Sequence, residues 1–198
     1  MPQRPTVIIL AAGRGERFAA SGGKLHKLQA LIAGKPVLEH VLDAVRASSL
    51  DWHLVQADAS RPGMGDSIAA GVAATAKAAG WLILPGDLPL IRSQSLLQIA
   101  DYAKAAVVVP LYQGKRGHPV RFASECLDQL LALRGAEGAA SVVKTQALLN
   151  AVAFLVLDDV GLVSDVDTLA DLENVQALFN QLPAPTACPT PRPQSPAI

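Results

Sequence analysis

Thr6-Val7-Ile8-Ile9-Leu10-Ala11 is an unbroken aliphatic run that stops at Ala12-Gly13-Arg14-Gly15-Glu16-Arg17. A short apolar run without alternation reads as a strand buried on both faces. Glycines directly behind it free the main chain to turn tightly and to aim several N–H groups at one anion. Arg14, Arg17, Lys24 and Lys27 bring four cations into fourteen residues, with Glu16 the single acid among them. A buried strand delivering such a loop constrains the chain strongly. The loop belongs at the C-terminal edge of a parallel sheet, where α/β proteins bind ligands, and its chemistry suits a polyphosphate.

The rest of the chain keeps the alternation. Strands are expected over 52–56, 81–84, 106–110, 120–122 and 152–157. Helices are expected from Pro36 to about Ser48, from an Asp66 or Ser67 cap to Ala79, and from a Ser93 or Ser95 cap to about Ala105. Others are expected near 124–133, 139–148 and 168–180. The pattern is that of an α/β, three-layer Rossmann-like fold with a mostly parallel sheet. Residues 183–198 hold six prolines. This segment reads as a disordered tail behind a folded domain of residues 1–182.

Composition narrows the function classes. The 198 residues carry 17 Lys and Arg against 17 Asp and Glu, which discourages a nucleic-acid partner, since phosphate contacts need a basic surplus. Aromatic residues make up only 4%, so base-stacking platforms are scarce. No apolar stretch approaches the ~20 residues of a membrane span. The two cysteines, Cys126 and Cys188, are unsuited to a structural disulfide, so a reducing, cytoplasmic setting is expected. The neutrality is a sum over regions. Residues 1–46 carry seven cations and three acids, whereas residues 158–173 carry six acids and no cation.

Two familiar phosphate motifs fail on the first loop. A dinucleotide fingerprint needs glycine where Phe18 stands, and a P-loop needs Gly-Lys-Ser/Thr opening a helix. The segment Leu10-Ala11-Ala12-Gly13-Arg14-Gly15-Glu16-Arg17-Phe18, followed by Lys27-Leu28 and Gly34-Lys35-Pro36-Val37-Leu38-Glu39-His40, resembles the MobA-like nucleotidyltransferases, in particular the molybdenum cofactor (molybdopterin) cytidylyltransferases. The resemblance implies transfer of a nucleoside monophosphate from an NTP to a phosphorylated acceptor, with release of pyrophosphate. It places Leu10 to Gly15 and Lys24 around the nucleotide and gives Arg17 and Lys27 catalytic duty on the phosphates. Ala12 resembles the cytidylyl branch, and Gly at this position the guanylyl branch.

Further motifs follow in family order. Gly63-Met64-Gly65-Asp66-Ser67 reads as a helix start and resembles a base- and ribose-holding segment, with Gly65 and Ser67 as its binding positions. Asp87 in Leu84-Pro85-Gly86-Asp87-Leu88-Pro89 ends a buried strand where packing has no use for an acid. The resemblance makes it a catalytic metal ligand, with Gly86 beside the nucleotide. Gly114-Lys115-Arg116-Gly117-His118-Pro119 resembles an acceptor-bordering turn, which places Gly117 and His118 on the acceptor side. Ser164-Asp165-Val166-Asp167-Thr168 resembles the family's closing acidic motif, with Asp167, or alternatively Asp165, as second metal ligand. Mg²⁺ suits such a site, because it takes few protein carboxylates and completes its shell with phosphate oxygens and water.

The implied partners are CTP or another NTP and a molybdopterin-type phosphorylated acceptor, with a molybdoenzyme or its chaperone downstream. GTP or a sugar or alcohol phosphate would make a different enzyme of the same class. A non-catalytic nucleotide-binding protein would have no use for Asp87. One departure is expected. Between Ser48 and Gly63 there is room for one strand only, so the sheet should be shortened by one strand–helix unit at its edge.

Overall fold

The computed structural model describes residues 3–58 and 63–182. Residues 1–2, residues 59–62 before Gly63 and the Pro-rich segment 183–198 lie outside the described residues. The main sheet runs β4(Trp52–Gln56)–β1(Thr6–Ala11)–β5(Gly80–Pro85)–β8(Val120–Ala123)–β6(Val107–Tyr112). β9 (Val152–Val156) lies along the outer edge of β6, and the short β7 (Lys115–Arg116) pairs with the end of β6 beside β8. β4, β1 and β5 are parallel, with Ile8 between His53 and Ile83, and β6 and β9 are parallel to one another. β8 alone runs against both neighbours within the body of the sheet. The sheet is therefore α/β and mostly parallel, as the sequence predicts.

Helices cover both faces. α2 (Val37–Ser48) and α4 (Ser93–Asp101) close one face around Val7, Ile9, Leu82 and Leu84. In α2 the buried positions Val37, Val41, Leu42 and Val45 form one stripe at helical spacing. α3 (Met64–Ala74), α5 (Leu127–Leu131) and α6 (Ala140–Leu148) close the other face around Ile8, Ile83, Val107 and Phe122. A third cluster joins Phe18 of α1 (Glu16–Ala20), Ile32 of the β2–β3 hairpin (Leu31–Ile32, Lys35–Pro36) and Val175 of α7 (Leu169–Gln181). This cluster lies under the loop that follows β1.

Several local expectations change. α3 starts at Met64 with Gly63 as its N-cap, and it ends at Ala74. Neither predicted cap performs that role. The Asp66 carboxylate accepts from the Gly135 N–H at 3.1 Å, and the Ser67 hydroxyl donates back to the Gly63 carbonyl at 3.1 Å. α4 stops at Asp101, and Arg92 rather than a serine is its N-cap. The hairpin at Ala33-Gly34 was not legible as one, although both turn residues have positive φ, 50° and 80°, the signature of a two-residue hairpin turn. β4 is the single strand between α2 and α3 among the described residues, and it forms the edge of the sheet.

One acid from the carboxyl-terminal run holds the frame together. Asp159 is 1% exposed. It accepts from the Ser95 hydroxyl at 2.6 Å, the Arg92 N–H at 3.1 Å and the Gly161 N–H at 2.9 Å. It thereby ties the start of α4 to the strand-end turn at Val160–Leu162. Removing it strands three donors. Asp159→Ala is expected to lower the unfolding free energy by about 3 kcal/mol, measured as a fall in the urea midpoint at unchanged m-value.

Candidate active site

Asp87 lies two residues beyond β5, on the turn that the strand end forces outward. The Gly86 N–H donates to the Leu10 carbonyl at 2.9 Å, and the Val166 N–H donates to the Asp87 carbonyl at 3.0 Å. These two main-chain bonds join three separate segments, the ends of β1 and β5 and the acidic stretch before α7. Buried Leu88 and Val166 anchor the junction from below. As a result Asp87 and Asp167, eighty residues apart in sequence, face one another.

Lys27 stands between them. Its Nζ is 2.6 Å from Asp87 Oδ2 and 2.6 Å from Asp167 Oδ1, and its side chain is only 12% exposed. Burial works against the ammonium, but the two carboxylates more than offset it, so the Lys27 pKa is raised. The hydrogen bond from Lys27 holds the Asp167 carboxyl below the usual carboxylate range. Arg17 Nη1 reaches the other oxygen of Asp167 at 2.9 Å. Asp87 Oδ1 is buried and has no hydrogen-bond partner, an unusual and costly state for a carboxylate oxygen.

Asp165 lies beside this group with the opposite behaviour. Desolvation raises its pKa, and repulsion from Asp87, Asp167 and Asp171 adds to the effect. The corner is thus short of positive charge even with Lys27 in place. Among the described residues no three or more His, Cys, Asp and Glu side chains converge into a preformed metal cage. The arrangement is two facing carboxylates, one with a free buried oxygen.

The loop after β1 borders this group. Gly15 caps α1 with a left-handed backbone, φ 65°, a conformation that side-chain-bearing residues resist. The first helical bond of α1 runs from the Ala19 N–H to the Gly15 carbonyl, so the preceding N–H groups have no helical partner. The clamp on this loop is His26, which the sequence reading did not single out. Its Nδ1 accepts from the Leu28 N–H at 3.3 Å, which assigns the proton to Nε2, and Nε2 donates to the Gly13 carbonyl at 2.7 Å. His26 fixes the loop and starts the turn Lys27–Gln29 that carries Lys27 inward. Lys24 is exposed and borders none of the site's clefts; of the two lysines, Lys27 occupies the site.

An open cleft of about 540 Å³ runs along Gly13, Arg14, Gly15, Arg17, Lys27 and Asp167, with Gly63, Asp66 and Gly135 opposite. A recess of about 150 Å³ extends from it under Ala12, between Leu10 and Ser67, and reaches Asp87. Ser67 is buried at its wall. Gly65 is tied up differently from the expectation. Its N–H donates to the Gly135 carbonyl at 2.8 Å, and a Cβ there would meet the Arg134 carbonyl oxygen at 2.9 Å. Its lack of a side chain serves packing against the 134–135 turn. Ala11 is partly buried under the loop.

On the far side of Leu10, Met64 and Pro85 lies a third cavity of about 320 Å³, with Gly117 and His118 in its wall. The Gly117 N–H donates to the Pro110 carbonyl, and the His118 N–H donates to the Leu162 carbonyl, both at 2.9 Å. His118 is exposed where it borders the cavity. Desolvation lowers its pKa, against the pull of Asp87 and Asp165. The acidic run is now sorted. Asp159 braces the fold and Asp171 forms a capping box with Thr168 at the start of α7, while Asp165 and Asp167 face the site.

The fold has relatives. The crystal structure of Rv0371c from Mycobacterium tuberculosis superposes with a TM-score of 0.74 at 23% identity, covering 89% of this chain and 99% of that one. The same protein in complex with manganese gives 0.70 at 21% identity, covering 89% of this chain and 100% of that one. The purine catabolism protein PucB of Bacillus subtilis is 29% identical over 196 residues, 85% of this chain and 94% of PucB. The bifunctional protein GlmU of Xanthomonas oryzae is 37% identical over 114 residues, 47% of this chain and 24% of GlmU, so the match spans about a quarter of that relative's length. Among the described residues no helix is long and apolar enough to cross a membrane. The sequence pattern of the MobA-like NTP transferase domain matches residues 7–152, and the chain therefore belongs to that family of NTP-dependent nucleotidyltransferases.

Proposed function

We propose that the protein transfers CMP from CTP to the terminal phosphate of a molybdopterin-type acceptor and releases pyrophosphate. The observation that carries the reading is the pair Asp87 and Asp167, bridged by Lys27 and facing the glycine-rich loop. Arg14, Arg17, Lys27 and the loop N–H groups bind the triphosphate. The recess under Ala12 takes the base and ribose, with Ser67 and Pro85 at its edges, while Gly86 lies packed against Leu10 and Leu38 behind it. The Ala12 methyl narrows that recess, which favours a pyrimidine over a purine. Gly117 and His118 border the acceptor.

The residues fit a divalent cation. Asp87 Oδ1 is a buried carboxylate oxygen lacking a partner, and Asp167 faces it across Lys27. Asp87 and Asp167 would hold Mg²⁺, which when bound neutralises phosphate charge and orients oxygens for in-line displacement. The protein does the rest by positioning. The cations of the loop hold the α-phosphate for attack and offset charge on the departing pyrophosphate. The attacking phosphate has its second pKa near ~6 and is ionised at neutral pH, so no general base is required of His118.

Asp87→Ala is expected to cut Mg²⁺-dependent pyrophosphate release from CTP and molybdopterin at least about a hundredfold, with circular dichroism unchanged. Retained activity would remove Asp87 from the metal. Thermal-shift profiles with CTP, GTP, ATP and NADPH, each with and without Mg²⁺, test the nucleotide. CTP with Mg²⁺ should stabilise most, and dominance of GTP would transfer the reading to guanylyl transfer.

The two acids of the corner should also separate by stability in the nucleotide-free protein. Asp167 has a lowered folded pKa. Its contribution is present above the unfolded value and lost as pH falls through the folded one. Asp165 has a raised folded pKa, so it costs stability above that pKa. At pH 7, Asp165→Asn should raise the thermal midpoint and Asp167→Asn should lower it. Below the ordinary carboxylate pKa of about 3.9, the gain from Asp165→Asn should disappear.

A further inference from the structure

Asp159 and Arg121 are the two buried charged side chains among the described residues. Asp159 is surrounded by donors, whereas Arg121 is left almost bare. Val120 and Phe122 face the core cluster under α3. Strand alternation therefore turns Arg121 to the α4 face, between Leu82 of β5 and Val108 of β6. It is only 7% exposed. Its guanidinium carries five N–H donors. Nη1 donates to the Ala105 carbonyl at 3.2 Å, and Nε is buried with no partner. No carboxylate forms an ion pair with it among the described residues. Burial pulls the Arg121 pKa down, yet an arginine cannot relieve that strain by losing its proton. A buried cation without a counter-ion is strongly unfavourable.

The surroundings of Arg121 suit an anion. It borders an open cavity of about 340 Å³ between the turn after α4, the end of β8 and the turn before β9. Much of the wall is alanine, such as Ala103, Ala105 and Ala123, and these side chains fill little space. Lys104 stands at the rim, exposed and without an ion pair among the described residues, and Asn150 borders the cavity from the turn before β9. Glu125 is the single acid of the lining. It acts on Arg121 electrostatically but does not bond to it. The cavity lies at the end of the sheet opposite to Asp87, since Ala123 pairs with Gly80 at the start of β5 and Asp87 follows that strand's end. None of its residues lines the nucleotide cleft, the recess or the cavity at His118.

We infer that this cavity is a second anion site, separate from the nucleotide cleft. It takes one oxyanion group, a carboxylate or a phosphate, held by the Arg121 guanidinium and the Lys104 ammonium. Glu125 restricts it to a single anionic group, because a second would be repelled at the rim. The site stands whether or not the protein transfers nucleotides.

The test uses the full chain carrying Arg14→Ala/Arg17→Ala, which weakens phosphate capture at the glycine-rich loop. Isothermal titration calorimetry follows inorganic phosphate and, separately, acetate. Saturable binding of at least one is expected, and the tighter of the two identifies the oxyanion. Adding Arg121→Met keeps an aliphatic stem and removes the charge. It should weaken binding at least about tenfold and raise the thermal midpoint of the anion-free protein, because the uncompensated charge is gone. Lys104→Ala, a change at an exposed side chain, should weaken binding about threefold and leave that midpoint in place. Glu125→Gln should tighten binding, also at an unchanged midpoint. Absence of saturable binding by either anion overturns the inference, as does affinity indifferent to both Arg121→Met and Lys104→Ala. A lowered midpoint in Glu125→Gln overturns it too, since Glu125 would then be the counter-ion of Arg121. If Arg121→Met does not fold, the affinities of Lys104→Ala and Glu125→Gln decide.

Discussion

Two carboxylates facing one another in a half-buried corner repel, and a fold that brings them together needs a positive charge between them. Lys27 meets that need by bonding both Asp87 and Asp167 at 2.6 Å. Everything near the site is arranged around this bridge. His26 pins the loop on one side of it, and the Val166–Asp87 main-chain bond fixes the carboxylates on the other. With the pair neutralised from inside, the nucleotide-free protein tolerates an acid-rich corner. The unpartnered oxygen of Asp87 remains as the position where neutralisation is incomplete.

The sheet order explains why the site needs so few residues. The ends of β1 and β5 are neighbours, so the loop cations and Asp87 are adjacent by topology. The antiparallel β8 then sends its preceding turn, Gly117-His118, to the same edge from the opposite chain direction. A parallel strand in that place would have brought its N-terminal turn to the bottom of the sheet. One reversed strand therefore adds a second wall to the site, and α6 closes that wall from the helical face.

Much of this was legible in the sequence because it is local. The apolar run of β1, the glycines behind it, the Pro at the head of α2 and Asp87 at the end of β5 each mark their place through short-range chemistry. What stayed hidden depends on distant partners. The resemblance implied both Lys24 and Lys27 at the nucleotide, and only Lys27 is carried inward, by the turn that His26 begins. Within the run of six acids the resemblance singled out Asp167 and Asp165, but the role of Asp159 as a brace appears only when Ser95, 64 residues away, comes near. Gly65 looked like room for a ligand, whereas the Arg134 main chain fills that room. The slot beside His118 was invisible because its walls come from β5, β6, β8, α3 and α6 together.

The start of α7 carries one more consequence. The N–H groups of Asp167 and Thr168 both donate to Asp171 Oδ2, and the Leu169 N–H donates to the Ser21 hydroxyl. Helix starts ordinarily present such amides to water, and they exchange their protons quickly. Here three successive amides are claimed by side chains, one of them from the far end of the nucleotide loop. The loop and the acidic segment should therefore open to deuterium as one cooperative unit. The timing of that opening belongs to α7, a helix that lines none of the clefts.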